Sequence, residues 1–124
     1  MQENPYREDR ELIQELLKQF ENLKTGRSHS FIEEDAFEKI IDYYQEKEDL
    51  IRAMEAAEIA SEQFPYSAML LIKKADILLA NRRYQEALDT LDQASLLDSG
   101  DINLYILKTD AFLALDQQQK AVKL

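Results

Sequence analysis

Residues 69–80, MLLIKKADILLA, return thirty-four positions later as NLYILKTDAFLA at 103–114. Six of the twelve positions are identical: Leu70/Leu104, Ile72/Ile106, Lys74/Lys108, Asp76/Asp110, Leu79/Leu113 and Ala80/Ala114. The same shift puts Ala53, Ala87 and Ala121 in one column, pairs Ala60 with Ala94, and aligns Phe37 with Leu71 and Tyr105. Self-similarity at a fixed period of this length marks a stack of supersecondary units, none of which buries its apolar face alone. The strong breakers agree. Pro65 and Gly100 stand 35 residues apart, too far for one helix and its turn and comfortable for two helices with short connections.

Composition narrows the chemistry. The 124 residues suit one domain or a short repeat array, and 45% hydrophobic with 32% charged residues is a globular balance. Two glycines and two prolines leave little room for phosphate-cradling loops or hairpins, so the chain reads as all-α. Without cysteine there is no disulfide framework, thiolate zinc site or thiol catalysis. The single histidine, His29, sits in a polar loop and argues against a Ser–His–Asp triad or a multi-histidine metal site. No catalytic residue, metal or cofactor is expected. Twenty-five acids against fifteen bases give a formal net charge of −10, which repels nucleic acid and anionic lipid. Lys73-Lys74 and Arg82-Arg83 are isolated basic pairs, not a stripe. No stretch approaches the roughly 18 to 20 apolar residues that span a bilayer. The N-terminus lacks a signal-peptide core, and a cytoplasmic location is the expectation.

Along the chain, Asn4-Pro5 offers an N-cap and a first-turn proline. Leu12, Leu16, Phe20 and Leu23, flanked by Ile13 and Leu17, recur at helical spacing and predict an amphipathic helix over 6–24. A loop over 25–30 contains Gly26, and Ser30 with Glu33 predicts a capping box for the next helix.

A 34-residue period of paired helices resembles the tetratricopeptide repeat family. The residues that carry the resemblance are Phe37, Tyr44, Ala53, Ala60 and Pro65 in 34–67, and Leu71, Ala75, Leu78, Tyr84, Ala87 and Ala94 in 68–101. In 102–124 they are Tyr105, Phe112 and Ala121. The resemblance implies a right-handed superhelical solenoid of antiparallel helix pairs. Residues 1–33 form an N-terminal capping helix and loop, 34–67 and 68–101 two complete repeats, and 102–124 a partial third that stops inside its second helix. A longer repeat protein, of which this is the N-terminal part, is implied. Ile41 departs from the pattern at a small-residue position, as do Lys74 and Lys108 at leucine positions, where stems are expected to cover apolar surface while the ammonium reaches an acid or water. Ser99 replaces the usual proline.

In such arrays the first helix of each pair lines a concave groove. The resemblance assigns to it Asp35, Glu38, Asp42, Gln45 and Glu46, then Met69, Ile72, Asp76, Leu79 and Ala80, then Asn103, Ile106, Asp110, Leu113 and Ala114. Asp42, Asp76 and Asp110 share one column, which is either a partner-facing wall or a solvated face of an acidic protein. Met69, Ile72, Leu79, Ile106 and Leu113 are either ligand groove or core. The function implied is a non-catalytic protein–protein interaction module binding a basic segment with apolar anchors. The alternatives are self-association through the exposed third repeat and an auxiliary domain of a longer enzyme. Glu33-Glu34-Asp35 reads as acids at a helix start, not as a cation site.

Overall fold

A computed structural model gives the backbone of residues 5–27 and 31–122 and the side chains of 9–27 and 31–120. These residues form six helices and no strand: α1 (Pro5–Lys24), α2 (Glu34–Glu46), α3 (Leu50–Gln63), α4 (Ala68–Ala80), α5 (Tyr84–Leu97) and α6 (Ile102–Val122). Connections of three residues (47–49, 81–83) and four (64–67, 98–101) turn each helix back along its predecessor. Each helix packs on the next in sequence, and α2 also meets α4, as α4 meets α6.

The turns repeat with the sequence. After α2, the N–H of Glu48 bonds to the carbonyl of Gln45 and that of Asp49 to Tyr44; after α4, Arg82 bonds to Leu79 and Arg83 to Leu78. This is the Schellman pattern, which needs a left-handed residue, and Glu48 (φ 58°) and Arg82 (φ 61°) supply it without being glycine. The end of α1 uses the same pair of bonds with Gly26 at φ 75° in that position. N-caps are mixed. Asp49 caps α3 by accepting from the Arg52 N–H at 3.1 Å, and Ser67 caps α4 by accepting from Leu70 at 3.2 Å.

The third repeat does not follow suit. The turn expected near 115–117 and the second helix after it are absent, and α6 runs unbroken to Val122. A left-handed residue there would cost helical hydrogen bonds and backbone strain. α2 starts at Glu34, and Glu33 is its N-cap with no side-chain hydrogen bond; the expected capping box rests on Ser30, outside the described residues. Ile32, 1% exposed, is instead pinned in the core by the extended segment before the helix. Asn4, His29, Ser30 and the Ala121 side chain lie outside the described residues.

Packing follows the columns. Ala53, Ala60, Ala87 and Ala94 are all fully buried, as crossings without side-chain bulk require. Ile41 and Ala75, one repeat apart, are both fully buried despite their difference in size. Leu16 and Phe20 of α1 join Ile41 in the larger cluster, which extends through α2 and α3 to Leu70 and Leu78. Phe37 stands at its centre, edge-on to Phe20 (6.5 Å) and Phe64 (6.1 Å). A smaller cluster joins Leu71, Ile72 and Ala75 to Leu91, Ala94 and Leu104. The helix α1 therefore caps the first pair, packing on α2 and reaching α3 through a Lys24–Glu55 ion pair at 3.2 Å.

Candidate functional site

The helices α2, α4 and α6 stand side by side, and three polar rungs tie the first two together. The Ser67 hydroxyl donates to the Glu34 carboxylate, Lys73 Nζ lies 2.5 Å from Asp42 Oδ1, and Gln45 Nε2 donates to Asp76 Oδ2 at 3.2 Å. Shifting each rung by one repeat shows why α4 and α6 are joined differently. Leu107 stands where Lys73 did, and Leu79 where Gln45 did. Between α4 and α6 the rungs give way to apolar side chains, and a cleft of about 390 Å³ opens. Met69, Ile72, Ile106 and Leu107 line it, bordered by Glu38, Asp76, Asp101 and Asn103, with Lys73 at one side.

Six of the residues assigned from sequence thus meet in one cleft: Glu38, Met69, Ile72, Asp76, Asn103 and Ile106. Ile72 is buried and Met69 half-buried, so the floor is continuous with the core, while Ile106 is 52% exposed. The others are placed elsewhere. Asp42 is held by Lys73 and lines a separate cleft of about 420 Å³ between α1 and α2, where Leu12, Ile13, Tyr43 and Glu46 also face. Asp110 and Leu113 are exposed on α6 and border neither cleft. Asp35 is exposed at the start of α2, and Leu79 packs against the larger cluster. Gln45 acts through Asp76. The aspartate column is therefore no uniform wall: Asp42 is ion-paired, Asp76 borders the cleft, and Asp110 stands apart from it.

Lys73, Leu107 and Asp101 are cleft residues that the groove assignment passed over. The signal for Lys73 was present as an acid at the ninth position of one repeat and a lysine at the sixth of the next. Lys108 behaves as its column predicts, with its side chain 23% exposed and its ammonium 3.1 Å from Asp92 on α5.

Shifted acid–base behaviour belongs to helix ends and the core. Asp49 is held below the usual carboxylate range, chiefly by the Arg52 backbone N–H and then by its guanidinium. Glu86 is lowered by its hydrogen bonds from Arg83. Burial raises the Tyr44 phenol. Among the described residues no cluster of His, Cys, Asp or Glu is arranged to hold a metal ion, and no helix is long and apolar enough to cross a membrane. No protein-family model and no curated protein matches the sequence.

Proposed function

We propose that the chain is a tetratricopeptide-type solenoid that serves as a non-catalytic cytoplasmic adaptor, binding a basic protein segment with apolar anchors in the cleft between α4 and α6. The turn hydrogen bonds after α2 that recur thirty-four residues later after α4, and the fully buried alanines at 53/87 and 60/94, support the repeat assignment. One observation carries the binding reading: Glu38, Asp76 and Asp101 rim an apolar floor of Met69, Ile72 and Leu107, where the rungs that close the α2–α4 side are missing. A lysine between two leucines would place its ammonium on the acid rim and its neighbours on the floor. The −10 net charge adds long-range attraction for such a segment.

The test is fluorescence anisotropy with two labelled peptides that alternate leucine with lysine or with glutamate. The lysine peptide should bind, lose affinity as salt rises, and bind more weakly to Asp76→Asn with its fold intact. Equal binding of the glutamate peptide, or no effect of Asp76→Asn, would refute the reading.

A further inference from the structure

Among the described residues, four carboxylates stand in or beside the cleft between α4 and α6, and each is held differently. Asp42 has its charge cancelled by Lys73 Nζ at 2.5 Å. Asp101 accepts the Asn103 N–H at 2.9 Å, which commits one of its oxygens to the start of α6. Glu38 is half-buried and makes no hydrogen bond or ion pair with a described residue. The Asp42–Lys73 and Gln45–Asp76 rungs each join residues thirty-one apart, and the same offset sets Glu38 against Met69, whose thioether has no proton to donate. Asp76 alone is both oriented and left charged. Gln45 Nε2 donates to its Oδ2 at 3.2 Å, and a neutral amide fixes a carboxylate without neutralising it.

Orientation matters only to a partner group that must match it. An ammonium is a point charge with rotatable donors and accepts a carboxylate at almost any angle. A guanidinium is a planar fork, whose two parallel N–H groups need both oxygens of the carboxylate in its own plane. The bond from Gln45 occupies one of about four lone-pair sites on Asp76, so both oxygens stay available to a fork. The floor favours the same group. Ile72 is 7% exposed and Met69 half-buried, so a cation settling beside them gives up water, and a guanidinium is more weakly hydrated than an ammonium. Lys73 does not compete for Asp76, being held by Asp42.

We propose that Gln45 makes the cleft selective for arginine over lysine, as a positioning residue that presents the Asp76 carboxylate to a planar guanidinium of the bound segment. The proposal rests on the reading of the cleft as a site for a basic segment, and adds which basic residue it takes. One repeat further on, Leu79 stands in the column of Gln45, and the thirty-one-residue offset leaves Asp110 with no amide to orient it.

The probes are three labelled peptides that alternate leucine with lysine, with arginine or with dimethylarginine, each titrated with the full chain by fluorescence anisotropy. The arginine peptide should bind about tenfold more tightly than the lysine peptide, the equivalent of one further charge-assisted hydrogen bond. Methylation keeps the charge and blocks the fork, so the dimethylarginine peptide should fall to the lysine level. Gln45→Leu, which copies the residue of the next repeat, should keep the helical circular dichroism. It should bring the arginine and lysine peptides to within about twofold of each other, chiefly by weakening the arginine peptide. Equal binding of the arginine and lysine peptides to the unaltered chain would overturn the proposal and leave the basic-segment reading standing. So would a dimethylarginine peptide that binds as tightly as the arginine one, a result that needs no variant to fold. A preference for arginine that survives Gln45→Leu undiminished would remove Gln45 from the account. If no basic peptide binds better than the glutamate peptide, the reading of the cleft fails and the proposal falls with it.

Discussion

Replacing Ala87 by leucine tests the packing logic most directly. Ala87 is fully buried on α5 and belongs to the cluster that holds Leu78 of α4, and those two helices pack together more extensively than any other pair among the described residues. The substitution adds three carbon atoms at a crossing that has no side-chain room to give. Overpacking of this kind costs about 1–3 kcal/mol through off-rotamer side chains and displaced backbone. At ~2.1 cal/mol/K per residue, the unfolding entropy of 124 residues is about 0.26 kcal/mol/K, so the melting midpoint should fall by about 4–12 °C. Thermal unfolding followed by circular dichroism at 222 nm reads it, with Leu96→Ala beside it as the control. Leu96 is 88% exposed, and its loss should move stability by less than about 0.5 kcal/mol. An unchanged midpoint for Ala87→Leu would mean that the alanine column does not mark tight crossings.

Ser67→Ala removes both the cap of α4 and the hydroxyl that donates to Glu34, and should cost about 1–2 kcal/mol in chemical denaturation. Glu48→Gly and Arg82→Gly relieve left-handed strain where α1 already uses Gly26. Each should stabilise by about 0.5–1 kcal/mol, the strain released exceeding the entropy that glycine adds to the unfolded chain. Asp49 and Glu86 are more acidic folded than unfolded, so the unfolded chain binds more protons. Their contribution is present above about pH 4–4.5, the unfolded carboxylate range, and lost as pH falls through their lower folded values. Denaturation midpoints should therefore drop below about pH 4, and Asp49→Asn should flatten part of that slope.

The period, read from six identities, placed the helix pairs and the alanine crossings because both depend on spacing within the chain. Partner choice was less legible because it depends on what the neighbouring repeat supplies. Asp42 and Asp76 occupy one column, yet Lys73 neutralises the first, while Leu107 in the same lysine column leaves the second without an equivalent. The acid column alone could not distinguish them. The continuous α6 was not legible either: Asp116 sits where Glu48 and Arg82 turn the chain, but a non-glycine residue avoids left-handed strain by staying helical there. The burial of Ile32, just before α2 begins at Glu34, was not legible from the local Ser30–Glu33 pattern, because it depends on packing against the core.

Among the described residues each helix packs chiefly on elements one or two places along the chain. Contacts this local close short loops, so they favour fast folding. Stability then accumulates from one neighbour to the next instead of being shared across the whole molecule. The inner helices α3 and α4 have packed helices before and after them, while α1 packs chiefly on α2 and much of the described part of α6 is exposed. Backbone amides of α1 and α6 should exchange with deuterium sooner than those of α3 and α4, opening by local steps that leave the centre intact. Under denaturant the ends then come apart before the middle, and a single melting temperature describes the centre of the molecule more faithfully than either end.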